Sequence, residues 1–175
     1  MPIDSTKEFK PINISVLTIS DTRTEATDKS GQILAKKIKE KGHGLSHKQI
    51  VKDDKDDIKK ILLEWCNDKS VDVILTTGGT GLTGRDTTPE ALEEIKDKDI
   101  PGFGELFRLI SYKKIGASTI QSRAMAVLAK GTYIFALPGS SGAVTDAWED
   151  ILKFQLDSRF RPCNFIELIP RLNEE

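Results

Sequence analysis

Cysteine is scarce in this chain: Cys66 and Cys163 are the two present, far apart and without Cys-x-x-Cys spacing. That pattern points to reduced thiols in a cytoplasmic protein rather than a disulfide framework. Basic residues are not in excess, with 26 Lys and Arg against 27 Asp and Glu, a formal net charge of -1. A broad nucleic-acid footprint needs such an excess, so no nucleic-acid partner is expected. No apolar run approaches ~18 residues, which excludes a membrane-spanning helix. The opening MPIDSTKEFKP has no apolar core, so a secretory signal is not expected. Internal repeats and low-complexity linkers are also missing. What remains is a chain of 175 residues, 38% hydrophobic and 30% charged. Such a length buries roughly 70% of its unfolded surface and needs no staple.

Residues 1–11 read as a flexible polar arm, and 12–175 as a single domain. Ile12–Ile19 is short and β-branched, hence a strand. Ser30 and the GQILAKKIKEKG after it read as a helix with Ile33, Leu34 and Ile38 on one face, stopped by Gly42. Leu45–Val51 is a weaker strand. Asp53 or Asp54 can cap the next helix, where Ile58, Ile61, Leu62 and Trp65 recur at helical spacing. Val71–Thr76 is a buried-type strand. Thr88-Pro89 suits a helix start, with Thr87 and Glu90 spaced for a capping box, and the helix covers 89–96. Pro101-Gly102 breaks the chain before a helix over Glu105–Tyr112. The stretch Ala124–Leu137 reads as two strands turning at Lys130-Gly131 rather than as helix then strand. Pro138–Gly142 is a loop, and Ala143–Leu156 an amphipathic helix. Strands alternating with helices predict an α/β fold around a largely parallel sheet. Ligands bind such sheets outside the carboxyl ends of the strands.

Two loops at that edge share a chemistry. Thr76-Thr77-Gly78-Gly79-Thr80-Gly81 follows one apolar strand, and Pro138-Gly139-Ser140-Ser141-Gly142 follows another. Glycines let backbone N–H groups approach a ligand, hydroxyls add donors, and the N-terminus of a following helix favours an anion. One glycine-rich turn can be a mere connection. Two that carry hydroxyls favour a phosphate site.

Standard fingerprints fit poorly. Gly79-Thr80-Gly81-Leu82-Thr83-Gly84 matches G-x-G-x-x-G in form. The second strand ending in an acid, expected ~20 residues later, falls in the PGFGE segment, which is not strand-like. A dinucleotide site is therefore the weaker alternative. A P-loop needs Lys then Ser or Thr after Gly84, where Arg85 and Asp86 stand. Asp86 beside an anion-attracting loop makes sense if a cation bridges acid and phosphate, and Asp53 ends a strand that faces the same edge. Two carboxylates with ligand phosphates suit Mg²⁺. The plain alternative is that each acid caps a helix. His43 and His47 lack a third ligand and read as surface histidines. No G-x-S-x-G is present for Ser-His-Asp hydrolysis. The KDDKDDIKK run reads as a solvated helix face. Trp65 and Trp148 read as core.

The segments TTGGTGLTGRDTTPEAL, PGFGELFRLISYKKIGASTIQSRA, FALPGSSGAVTDAWEDIL and RPCNFIELIP resemble the MoaB/Mog proteins of molybdenum cofactor biosynthesis. The match runs from Ile14 nearly to the end, and IGASTIQSRA, LPGSSGAV and RPCNF point to the MoaB branch. The resemblance implies the molybdopterin-binding fold, a three-layer α/β sandwich around a mostly parallel central sheet, and molybdopterin as ligand. It also implies transfer of AMP from Mg-ATP to the molybdopterin phosphate, with pyrophosphate leaving. A trimer or hexamer is implied, and a downstream metal-insertion protein as partner. The alternative within the same pathway is a carrier that binds molybdopterin without turnover.

Residue by residue, the TGGTG match implies phosphate contacts at Thr77, Gly78, Gly79, Thr80 and Gly81. Asp86 corresponds to the family's essential acid and Asp53 to its strand-end acid. Ser111 and Ser122 match hydroxyls lining the pterin pocket. Pro138, Gly139 and Ser140 match the second loop, and Ser30 and Gly31 a D-x-S-G element at a helix start. The chain departs from the pattern at Lys52, where proline is usual, and after Gly139, where Ser-Ser replaces proline and lysine. Retention of Asp53 implies an intact metal-binding pair and an active enzyme.

Overall fold

The computed structural model describes residues 3–174. Met1, Pro2 and Glu175, which belong to the expected arm and domain, lie outside the described residues. In chain order come β1 (Asn13–Ile19), α1 (Lys29–Lys41), β2 (Gly44–Val51), α2 (Lys55–Asn67) and β3 (Val73–Thr77). There follow α3 (Thr88–Ile95), β4 (Lys98–Asp99), α4 (Pro101–Ile115), β5 (Met125–Ala129) and β6 (Thr132–Leu137). A last helical run combines α5 (Ser141–Ala147), a π turn over Trp148–Leu152 and α6 (Lys153–Gln155). Short 3-10 turns occupy Gly116–Gln121 and Ile166–Arg171.

The strands form one sheet in the order β2-β1-β3-β6-β5-β4. β2, β1, β3 and β6 pair in parallel, and β5 is antiparallel to both its neighbours. Alternation along the strands sorts the core into two layers. Ile14, Val16, Val73, Leu75, Phe135 and Leu137 pack with Leu34 of α1, Phe103 and Phe107 of α4, and Trp148. Leu17, Ile19, Ile74, Ile134 and Ala136 pack with Ile58, Leu62 and Trp65 of α2 and Leu92 of α3. The result is the expected three-layer α/β sandwich. The chain leaves β1 to one side toward β2 and returns on the other to β3, so the sheet switches direction between β1 and β3.

Several local expectations need correction. Pro101 does not break the chain but opens α4 as its first residue, where its fixed φ suits a helix start. The capping box at Thr87 and Glu90 does not form, because Thr87 makes no side-chain cap bond and its hydroxyl is used elsewhere. Helix α1 is capped by Asp28, whose carboxylate accepts the Gly31 N–H, so the helix starts before Ser30. His43 is not a surface residue. It is buried, its ring lies 5.1 Å from Phe9, and its Nδ1 accepts the Ile12 N–H at 3.2 Å. His47 stacks on Trp65 at 5.3 Å and is half-exposed.

Residues 3–11 lie against the C-terminal segment. Ile3 bridges Phe160, Asp4 N–H donates to the Arg159 carbonyl, and Lys10 N–H donates to Ser158 Oγ. Among the described residues no helix is long and apolar enough to cross a membrane.

Candidate functional site

The two glycine loops leave neighbouring parallel strands. Thr77 at the end of β3 is the registered partner of Leu137 at the end of β6. Gly78 N–H donates to the Leu137 carbonyl at 3.0 Å, and the Thr77 hydroxyl donates to the Pro138 carbonyl at 3.2 Å. These bonds continue the sheet's spacing into the loops. On its other side Gly78 presses on the end of β1. Its φ is +109°, and an added Cβ would fall 2.1 Å from the Ile19 carbonyl oxygen. Only glycine fits that crossing.

Past these crossings the loops enclose a hollow of about 360 Å³. Gly78, Gly79, Thr80 and Gly81 form one wall, and Pro138, Gly139 and Ser140 the other. Asp86, Gln121 and Ser122 complete it. Its size is in the range of small-molecule sites. Larger hollows of about 560 and 510 Å³ lie between the two terminal segments and beside α4. Neither collects the glycine loops or Asp86.

Asp53 and Asp86 converge on this wall from different parts of the chain. A Cβ on Gly79 would lie 2.9 Å from Asp53 Oδ2, and one on Gly81 would lie 2.7 Å from Asp86 Oδ2. Both carboxylates therefore occupy the space that side chains at 79 and 81 would fill. Neither acid is a helix cap. Asp54 caps α2, accepting the Asp56 and Asp57 N–H groups. Asp53 Oδ1 instead accepts the Thr87 N–H at 3.1 Å and the Thr87 hydroxyl at 3.0 Å. Asp86 Oδ2 accepts the Thr83 N–H at 2.8 Å and the Thr83 hydroxyl at 2.7 Å.

The two acids differ electrostatically. Burial pushes the Asp53 carboxyl above its ordinary value; Thr87's bonds oppose this, while the nearby charges of Asp86 and Asp21 add to it. For Asp86, burial also acts upward but is outweighed by the Thr83 and Gly81 hydrogen bonds and by Arg123, so the carboxyl is held low. A cluster of like charges against donor-rich glycines can take a cation bridged to an anion. No group of three or more His, Cys, Asp and Glu side chains placed to hold a metal alone occurs among the described residues.

Asp53 approaches Gly79 but is not among the residues lining the hollow, and other expected residues sit elsewhere. Ser30 is buried at the start of α1, and Gly31 is pressed against Asp28 and Thr18, so neither lines the hollow. Ser111 is buried in α4, also outside the lining. Thr77 is fully buried behind the wall. Sequence reasoning does not place three further residues at the site. Gln121 lines the hollow, and its only signal was adjacency to Ser122. Thr87 was read as a cap and instead holds Asp53. Arg123 bonds to the glycine loop and lies unmarked inside the IGASTIQSRA segment.

The formal G-x-G-x-x-G is not used as in a dinucleotide site. Its last glycine must be small for close helix packing there, whereas a Cβ on Gly84 would meet nothing within 4 Å. Helix α3 begins only at Thr88.

Known proteins share this architecture. Residues 15–158 match the family model described as "Probable molybdopterin binding domain". Over 158 residues the chain is 48% identical to molybdenum cofactor biosynthesis protein B of Escherichia coli, spanning 90% of this chain and 93% of that one. The Bacillus cereus protein of the same name is 49% identical over 144 residues, spanning 82% and 85%. A crystal structure of a molybdenum cofactor biosynthesis protein B superposes with a TM-score of 0.86 at 42% identity, covering 97% of this chain and all 100% of that one. The Pyrococcus furiosus MoaB, described as a tungsten cofactor synthesizing protein, gives a TM-score of 0.73 at 36% identity, covering 82% and 91%. With a family model spanning most of the chain and relatives matched over nearly their whole length, the chain belongs to the molybdopterin-binding-domain family of molybdenum cofactor biosynthesis proteins, in its MoaB branch.

Proposed function

We propose that this protein binds molybdopterin in the glycine-lined hollow and transfers AMP from Mg-ATP to its terminal phosphate. The observation that carries this reading is the approach of Asp53 and Asp86 to Gly79 and Gly81 of one loop. The amides and hydroxyl of Gly78–Gly81 suit a phosphate dianion, with Ser122, Pro138, Gly139 and Ser140 across from them.

The donor set fits Mg²⁺, which takes one or two carboxylates and completes its shell with phosphates and water. Asp53 and Asp86 are the residues that would hold it. When bound, the ion neutralises charge on the two phosphate groups being joined. The reaction needs alignment more than proton transfer. An oxygen of the molybdopterin phosphate, already ionised at neutral pH, attacks the α-phosphorus of ATP. The bond from that phosphorus to the β-phosphate oxygen breaks, and pyrophosphate leaves with the electron pair. Neither acid serves as a general base. Thr87 and Thr83 fix the carboxylates, and the hollow's wall orients the nucleophile.

The test is release of labelled pyrophosphate from ATP in the presence of molybdopterin and magnesium. Release that depends on all three supports the reading. Saturable molybdopterin binding without release points to the carrier function instead. The same reading includes a trimer or hexamer. Exposed Leu106, Leu109, Tyr112 and Ile115 along α4 supply apolar surface for it, and sedimentation velocity measures the state directly.

A further inference from the structure

Gly81 and Asp86 flank the exposed tip of the glycine loop, Leu82–Arg85. Neither carbonyl belongs to a helix or strand, so each needs a partner from outside the loop. Arg123 supplies both. Its Nε donates to the Gly81 carbonyl at 2.7 Å and its NH2 to the Asp86 carbonyl at 2.8 Å. Its backbone N–H donates to the Thr80 carbonyl at 3.2 Å, and its remaining guanidinium nitrogen pairs with Glu90 of α3. One side chain thus ties the start and end of the loop to each other and to α3.

We propose that Arg123 is a positioning residue for AMP transfer, holding the Asp86 backbone and the Gly81 wall in place without touching substrate. The inference rests on the adenylylation reading above. Asp86 is fixed at two places: Thr83 holds its carboxylate and Arg123 its main chain. Removing the second hold leaves the carboxylate on a loop free to swing. The geometry requires a planar fork of N–H donors reaching two carbonyls and a carboxylate at once. A lysine ammonium keeps the charge and lacks the fork. Gly78 and Gly79 are anchored independently of Arg123 by Leu137 and Thr88, and Pro138 by Thr77, so ground-state binding of the pterin survives the loss.

The experiment compares wild type, Arg123→Lys and Arg123→Ala for pyrophosphate release, molybdopterin binding by fluorescence titration, and melting temperature. The expected result for Arg123→Lys is a fall in kcat of at least about 30-fold with binding changed less than about threefold. Guanidinium ion at millimolar concentration is expected to restore part of the activity of Arg123→Ala. Normal turnover by Arg123→Lys overturns the inference. So does parallel loss of binding, folding and turnover in both variants, which marks Arg123 as merely structural. A wild type that binds molybdopterin and releases no pyrophosphate removes the adenylylation reading, and this inference with it. Normal wild-type turnover beside an unimpaired Arg123→Lys removes the inference alone.

Discussion

Thr87 donates both its backbone N–H and its hydroxyl to a single oxygen of Asp53, a residue 34 positions earlier in the chain. The pair joins the start of α3 to the end of β2 and leaves the second Asp53 oxygen facing Gly79. A hydrogen bond to the charged form favours ionisation. Thr87→Val removes the hydroxyl and keeps the amide, so the already raised Asp53 carboxyl moves further up. Asp53 must be ionised to hold a cation. The acid limb of the pH profile for pyrophosphate release is therefore expected to shift to higher pH in this variant, with the neutral-pH plateau lowered by less than about tenfold. An unchanged acid limb counts against Asp53 as the titrating group.

Asp86→Ala is expected to reduce AMP transfer by about 100-fold or more, the scale seen when a charge-stabilising group is removed. Molybdopterin affinity is expected to stay largely in place, because the amides of the loop remain. Normal turnover by this variant would remove Asp86 from the mechanism. Measurement of kcat beside a binding titration separates the two outcomes.

Asp53→Asn bears on stability as well as activity. The folded protein raises the Asp53 carboxyl above its ordinary value of 3.8. Between that value and the raised one the native state binds more protons than the unfolded state, so stability falls as pH rises through the window. At neutral pH the ionised acid is a net cost, which asparagine relieves. A higher melting temperature is expected at pH 7, accompanied by loss of AMP transfer. Calorimetry at pH 7 checks the first point, and a drop in melting temperature contradicts it.

Gly79 and Gly84 separate backbone need from motif. Gly79 sits at φ +63°, and an added Cβ would lie 2.3 Å from the Thr88 hydroxyl oxygen. Gly79→Ala is expected to cost about 1–3 kcal/mol and displace Asp53. Gly84→Ala meets open space and is expected to change stability by less than about 0.5 kcal/mol. Chemical denaturation of the two variants is sufficient. Equal damage at both positions would restore the weight of the G-x-G-x-x-G pattern.

His43 makes a prediction far from the site. Burial pushes its imidazole down to about 4 from 6.5, and its neutral Nδ1 accepts the Ile12 N–H. The unfolded chain takes up the proton first, so stability is expected to fall as pH drops from 6.5 toward 4, by at most about 3 kcal/mol. Proteolysis of the segment 3–11 should quicken over the same range. His43→Gln, which cannot titrate, is expected to flatten the pH dependence of melting, and an unaltered slope excludes His43 as its source.

The repeating elements were readable because their periods are local. β1, α1, β2, α2 and the hairpin at Lys130-Gly131 each announce themselves within a dozen residues, and both core layers follow from strand alternation. Lys98–Asp99 could not be read, because two charged residues make a strand only when β5 lies beside them. The same limit governed the candidate site. Glycines and acids have local signatures, so the loops and Asp86 were legible. Thr87 looks like a cap because its true partner is Asp53, supplied by the loop after β2. Nothing local singles out Arg123, because the carbonyls it binds, at Gly81 and Asp86, lie some forty residues upstream. The burial of His43 is hidden for a similar reason: Phe9, which packs on it, comes from the segment expected to be a free arm, and Ile12, which donates to it, from 31 residues upstream.

The two loops of the hollow spring from side-by-side strands of one parallel sheet, with Thr77 and Leu137 in register. The gap between their roots is therefore a lattice constant of the sheet, about 4.8 Å, and not a product of loop sequence. Serine can replace proline or lysine on one lip while the slot keeps its gauge. Substitution at the rim changes its chemistry, but the spacing of the loop roots is set by the hydrogen-bonded floor.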